Sequence, residues 1–107
     1  MAETTRPIAC RLDALSPEER QRQQALRQDL EAAIESVREA PDGYVFTYRD
    51  DATVFRRAAE WLTLERRCCP FVDFELGWRA DSRSPTLRMG GEPGVKAFIA
   101  GTFLPLS

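Results

Sequence analysis

Apolar residues recur at helical spacing in some stretches of this chain and alternate in others, which predicts a protein of mixed helices and strands. Leu26, Leu30, Ile34 and Val37 form one apolar stripe on an otherwise charged segment. Ser16-Pro17-Glu18-Glu19 supplies its start: Ser16 caps, Pro17 fits the first turn and Glu19 completes a capping box. This helix is expected to end at the Pro41-Asp42-Gly43 turn. Tyr44-Val45-Phe46-Thr47-Tyr48 reads as a strand with its three aromatics on one face. A second helix is expected from Ala52 to Cys68, capped by Asp50 or Asp51. It stops there because Cys69 precedes Pro70, a position biased away from helical geometry.

Val72, Phe74, Leu76 and Trp78 alternate with Asp73, Glu75, Gly77 and Arg79 and give the clearest strand. Thr86 to Met89 returns with Leu87 and Met89 inward, and Gly90-Gly91-Glu92-Pro93 turns into a last helix. Val95, Phe98, Ile99, Thr102 and Phe103 are its buried face. Ile8-Ala9-Cys10-Arg11-Leu12 alternates in part and is read as a first strand. The expected order is β-α-β-α-β-β-α. It makes an α+β two-layer sandwich, with helices covering one face of a small, mostly antiparallel sheet. Residues 1–7 are expected to be a flexible arm and residues 8–107 a single domain.

Composition narrows the function classes. The chain has 107 residues, 43% hydrophobic and 30% charged, which fits one globular domain. Its 15 basic and 17 acidic residues give a net charge of −2, without the basic excess of a nucleic-acid binder. No apolar run approaches the ~20 residues that span a bilayer. The first residues lack a signal-peptide core, so a cytoplasmic location is expected. Small α+β domains often assemble through a sheet edge or helix face, so a homodimer is the expected assembly.

The chemistry concentrates in the cysteines. There are 3, and no histidine, so every histidine-based mechanism is excluded. No serine, threonine or lysine stands in a recognisable nucleophile motif. Cys68 and Cys69 are adjacent at the expected end of the second helix, within Glu65-Arg66-Arg67-Cys68-Cys69-Pro70-Phe71. Laid on a wheel at ~100° per residue, Val54, Phe55, Ala58, Trp61, Leu62 and Cys69 share one arc, and Glu65 falls inside it. A carboxylate on a buried face is expensive unless paired, protonated or bound to a cation. Glu65 therefore reads as a metal ligand, as a base for a thiol, or as the acceptor of a buried hydrogen bond from Arg11, a tyrosine or a strand backbone. Arg66 and Arg67 would lower the thiol pKa, and the negative end of the helix dipole would raise it.

Thiolates select soft ions. The expected function is that of a binder of a thiophilic metal or metalloid ion such as zinc, cadmium, mercuric ion or arsenite. Cys68 and Cys69 would be ligands, Cys10 a third, and Glu65 a ligand or a group behind them. Three thiolates suit trigonal soft ions, and three with Glu65 suit tetrahedral zinc. The alternatives are a small thiol redox or transfer enzyme, with Glu65 assisting one thiol and another cysteine resolving the intermediate. A third is a non-catalytic interaction module whose cysteines fill the core. The stretch Ala59 to Phe71, with Phe74-Glu75-Leu76 behind it, Ile8 to Leu12 before it and Gly94 to Ile99 after it, resembles small bacterial proteins of about 100 residues carrying an ERRCCPF stretch. That resemblance implies a recurring cysteine pattern and no particular activity.

Overall fold

The computed structural model of the chain describes residues 8–11 and 13–104. Its elements are α1 (Pro17–Ala33), β1 (Ile34–Ala40), β2 (Gly43–Tyr48), α2 (Ala52–Cys68), β3 (Asp73–Gly77), β4 (Thr86–Gly90) and α3 (Val95–Thr102). The fold is α+β, with one sheet of order β1-β2-β4-β3, antiparallel at every pairing. The expected arm, residues 1–7, lies outside the described residues.

Two expectations for the first half need correction. α1 starts as read: Ser16 Oγ accepts from Glu19 N at 3.1 Å, and Glu19 Oε1 accepts from Ser16 N at 2.9 Å. It ends at Ala33, however, and Ile34 and Val37 belong to β1. A register shift between Ile34 and Ser36 accounts for the misleading spacing. The extra residue lets Ile34 pair with Tyr48 and Val37 with Phe46, so two positions three apart share one strand face. Pro41 and Asp42 then form a two-residue link between the paired Ala40 and Gly43. A Cβ on Gly43 would strike the Met89 carbonyl oxygen of the neighbouring strand, so the close approach needs glycine there.

The expected strand at 8–12 is the second correction. Residues 8–11 carry no regular structure, and Leu12 lies outside the described residues. β1 occupies the sheet edge instead. The 8–11 segment lies against the end of α2, where Arg11 N donates to the Cys68 carbonyl at 2.8 Å.

The cross-strand register assigns the two sheet faces. Val37, Phe46, Leu87 and Leu76 form one row, and Tyr44, Met89 and Phe74 form the next. These rows meet the helices in a core with Leu26, Leu30, Val54, Ala58, Trp61, Val95 and Ile99. The aromatic stripe of β2 is thus core. The opposite face carries Arg38, Val45, Arg88 and Glu75 across the four strands. α1 and α2 pack on each other, and α3 lies on β2 and β4. Trp78 continues the alternation of Phe74 and Leu76. It lies just beyond β3, 41% exposed, with its ring stacked on Phe55 at 5.0 Å and its Nε1 donating to the Arg83 carbonyl at 2.7 Å. No helix among the described residues is long and apolar enough to cross a membrane.

Candidate functional site

The end of α2 builds the site. Asp51 caps the start of the helix by accepting from Thr53 N at 2.8 Å. Val54, Ala58, Trp61 and Glu65 are its buried positions, so Glu65 does occupy the inward arc. Cys68 is the last helical residue. Cys69 leaves the helix at φ −123° and ψ 70°, while its N–H still bonds the Glu65 carbonyl at 2.7 Å. This break in direction separates the neighbours: Cys69 is 1% exposed in the core, and Cys68 is half-buried at the rim.

Cys10 reaches the same place from the N-terminal segment. Its sulfur stands 3.3 Å from that of Cys69. The Cys69 thiol lies 3.7 Å from Glu65 Oε2 and can donate to it. Gln23 of α1 completes the group: its Nε2 donates to Glu65 Oε1 at 2.7 Å and reaches the Cys68 sulfur at 3.7 Å. All four residues expected to carry the chemistry (Cys10, Cys68, Cys69 and Glu65) line one cavity of about 200 Å³, together with Gln23 and Arg27. Among the described residues, no group of three cysteine, aspartate or glutamate side chains is already arranged to hold a metal ion.

Gln23 is the residue that reading the sequence missed. The signal was present, because Gln23 precedes Leu26 and Leu30 by three and seven positions and so falls on the stripe that α1 buries. A polar residue on an apolar helix face asks for a partner on the facing helix. The same rule had singled out Glu65. The hydrogen bond expected at Glu65 exists, and its donor is Gln23 rather than Arg11, a tyrosine or a strand.

Electrostatics favour the protonated forms of Glu65, Cys68 and Cys69. Burial pushes the Glu65 carboxyl above its ordinary range, against the pull of the Gln23 hydrogen bond, the Cys69 thiol and Arg27. Burial pushes the Cys69 thiol strongly up, and contact with Cys10 and repulsion from Glu65 add to it. Cys68 is also raised, first by burial; the Gln23 hydrogen bond opposes this, and repulsion from Glu65 and Cys10 reinforces it. The expected lowering by Arg67 is therefore overridden. Its guanidinium binds Glu19 at 2.6 Å and the Ala14 carbonyl at 2.8 Å.

Comparison of the chain with protein-family models, curated proteins and solved structures found no match.

Proposed function

We propose that the protein captures a soft, thiophilic metal or metalloid ion between Cys10 and Cys69, with Cys68 joining as a third sulfur. One observation carries this reading: three thiols from two distant parts of the chain face one cavity, two of them with sulfurs 3.3 Å apart. Burial disfavours the Glu65 carboxylate and the Cys68 and Cys69 thiolates, and repulsion from Glu65 adds to this at both thiols. A cation in their midst reverses that balance, since a metal deprotonates the thiol it binds.

A set of three sulfurs suits ions of low coordination number. No ready set of three ligands exists among the described residues. Mercuric ion or arsenite needs only two or three sulfurs and fits better than zinc or cadmium. Catalysis by a thiol nucleophile is less favoured, because such enzymes depend on a lowered thiol pKa and both helix-end thiols here are raised. The reading also places the chain where thiols stay reduced, as in the cytoplasm.

The test is titration of the reduced protein with mercuric ion, arsenite, cadmium and zinc, followed by native mass spectrometry and calorimetry. One mercuric ion or arsenite per chain is expected, with zinc much weaker. Cys10→Ser should weaken binding strongly and Cys68→Ser moderately. Absence of a stoichiometric complex with any of the four ions would overturn the reading, as would affinity unchanged in Cys68→Ser/Cys69→Ser.

A further inference from the structure

The same pair of sulfurs has a second chemistry. We propose that Cys10 and Cys69 form a reversible disulfide, installed by exchange with a small-molecule disulfide, and that this bond closes the site to soft ions. The closeness of the two sulfurs is a property of the reduced fold itself. Only the closing of the site rests on the ion-binding reading.

Three features select this pair. Their sulfurs are 3.3 Å apart, so bonding at ~2.05 Å needs an approach of only about 1.2 Å. The two ends differ in freedom. Cys69 is fixed, with its N–H on the Glu65 carbonyl and its own carbonyl accepting from Val72 N at 3.1 Å. Cys10 is exposed on a segment without regular structure, so it can both meet a reagent and make the approach. Cys68 is a poor competitor for Cys69, since adjacent cysteines bond only through a strained eight-membered ring. It is also the last residue of regular helix, with its sulfur beside Gln23.

The exchange balances in two displacements. The Cys10 thiolate attacks one sulfur of the reagent RSSR; its S–S bond breaks, one RS⁻ leaves and takes up a proton, and Cys10 carries the mixed disulfide. Cys69 then gives up its proton to solvent at the open cavity. The Cys69 thiolate attacks the Cys10 sulfur, the mixed disulfide breaks, and the second RS⁻ leaves and is protonated. The two cysteines lose two electrons and two protons, and RSSR becomes two RSH. In the product two of the three sulfurs facing the cavity are bonded to each other and have no thiolate to offer an ion.

Incubation of the reduced full chain with 2-hydroxyethyl disulfide tests this. Non-reducing digestion and mass spectrometry should find the peptide containing Cys10 joined to the peptide containing Cys69, in a chain lighter by two hydrogens. Cys68→Ser should still close. Cys69→Ser should stop at the mixed disulfide on Cys10. Cys10→Ser, an exposed and structurally mild change, should form no Cys69 cross-link. A Cys10–Cys68 link, or wild-type protein that ends as mixed disulfides only, would overturn the proposal. Mercuric-ion affinity is then compared before and after oxidation. A fall well beyond the ~10–100-fold that follows loss of an outer-shell partner is expected, and equal affinity overturns the closing of the site. If the disulfide forms but the reduced protein takes up no ion, the ion-binding reading fails and the disulfide stands.

Discussion

Gln23 on α1 and Glu65 on α2 are joined by a 2.7 Å hydrogen bond across the helix pair, each from a face that otherwise carries apolar side chains. The bond satisfies one oxygen of a buried carboxyl and fixes the carboxyl's other oxygen toward Cys69. Replacing Gln23 by leucine leaves Oε1 without this donor, and an unsatisfied buried acceptor costs about 1–3 kcal/mol. Gln23→Leu is therefore expected to lose stability in that range by urea denaturation. Glu65→Gln, which can still accept from Gln23, should lose less. Equal losses would show that the pair does not act as a unit.

Glu65 also sets a pH dependence. It keeps its proton to higher pH in the fold than in the unfolded chain, where the ordinary value is 4.5. The native state then binds more protons in that window, so this contribution is complete below 4.5 and is lost as pH rises through the raised native value. Cys68 and Cys69 act in the same sense above the ordinary thiol value of 9.0. Glu19, Asp51 and Glu60 have lowered pKa values and act oppositely at the acid end. The informative measurement is the stability difference between wild type and Glu65→Gln at successive pH values. It should move against the wild type as pH rises above 4.5. A flat difference would contradict the burial assigned to this carboxyl.

Gly43→Ala tests the hairpin. The added methyl would collide with the backbone of β4 at Met89 and Gly90 rather than with a movable side chain. A loss of about 3 kcal/mol or more is expected, at the severe end of single substitutions. Gly101→Ala is the control, because a Cβ there meets nothing within 4 Å. Gly101 is the last-but-one residue of α3, so alanine there should gain a fraction of the ~1 kcal/mol seen at a helix interior. Thermal melts of the two variants should shift in opposite directions.

The Cys10–Cys69 bond, once formed, would close a loop spanning 59 positions. Constraining the unfolded chain by a loop of that size stabilises by up to about 4 kcal/mol in the chain-entropy account. Oxidised wild type is expected to unfold at higher urea than reduced wild type. Cys10→Ser should show no difference between oxidising and reducing buffers.

Much of this fold was legible where one signal dominated. α2 was read from Ala52 to Cys68 because a cap at Asp50 or Asp51, the apolar arc and Pro70 agreed. The hairpin of β3 and β4 followed from strict alternation. β1 was missed because its bulge gives Ile34 and Val37 a spacing that strand and helix share, and pairing with β2 decided between them. The strand expected at Ile8 failed for the complementary reason: its alternation has no partner once β1 holds the edge. At the site, the sequence pointed to Glu65 and the cysteines because their residue types are unusual on a buried face. It could not reveal that Cys10 meets Cys69 rather than Cys68. That depends on how the chain leaves α2, a matter of two backbone angles at Cys69.

The 59 positions between Cys10 and Cys69 also order events in time. During synthesis Cys10 is made early, and its partner is not placed until α2 has ended and docked on α1. Until then the N-terminal thiol is single and open to any electrophile it meets. Pairing of the two sulfurs thus reports that the helix pair has assembled. A nascent or truncated chain ending before residue 68 should behave, toward thiol reagents, as a protein whose one free cysteine is Cys10.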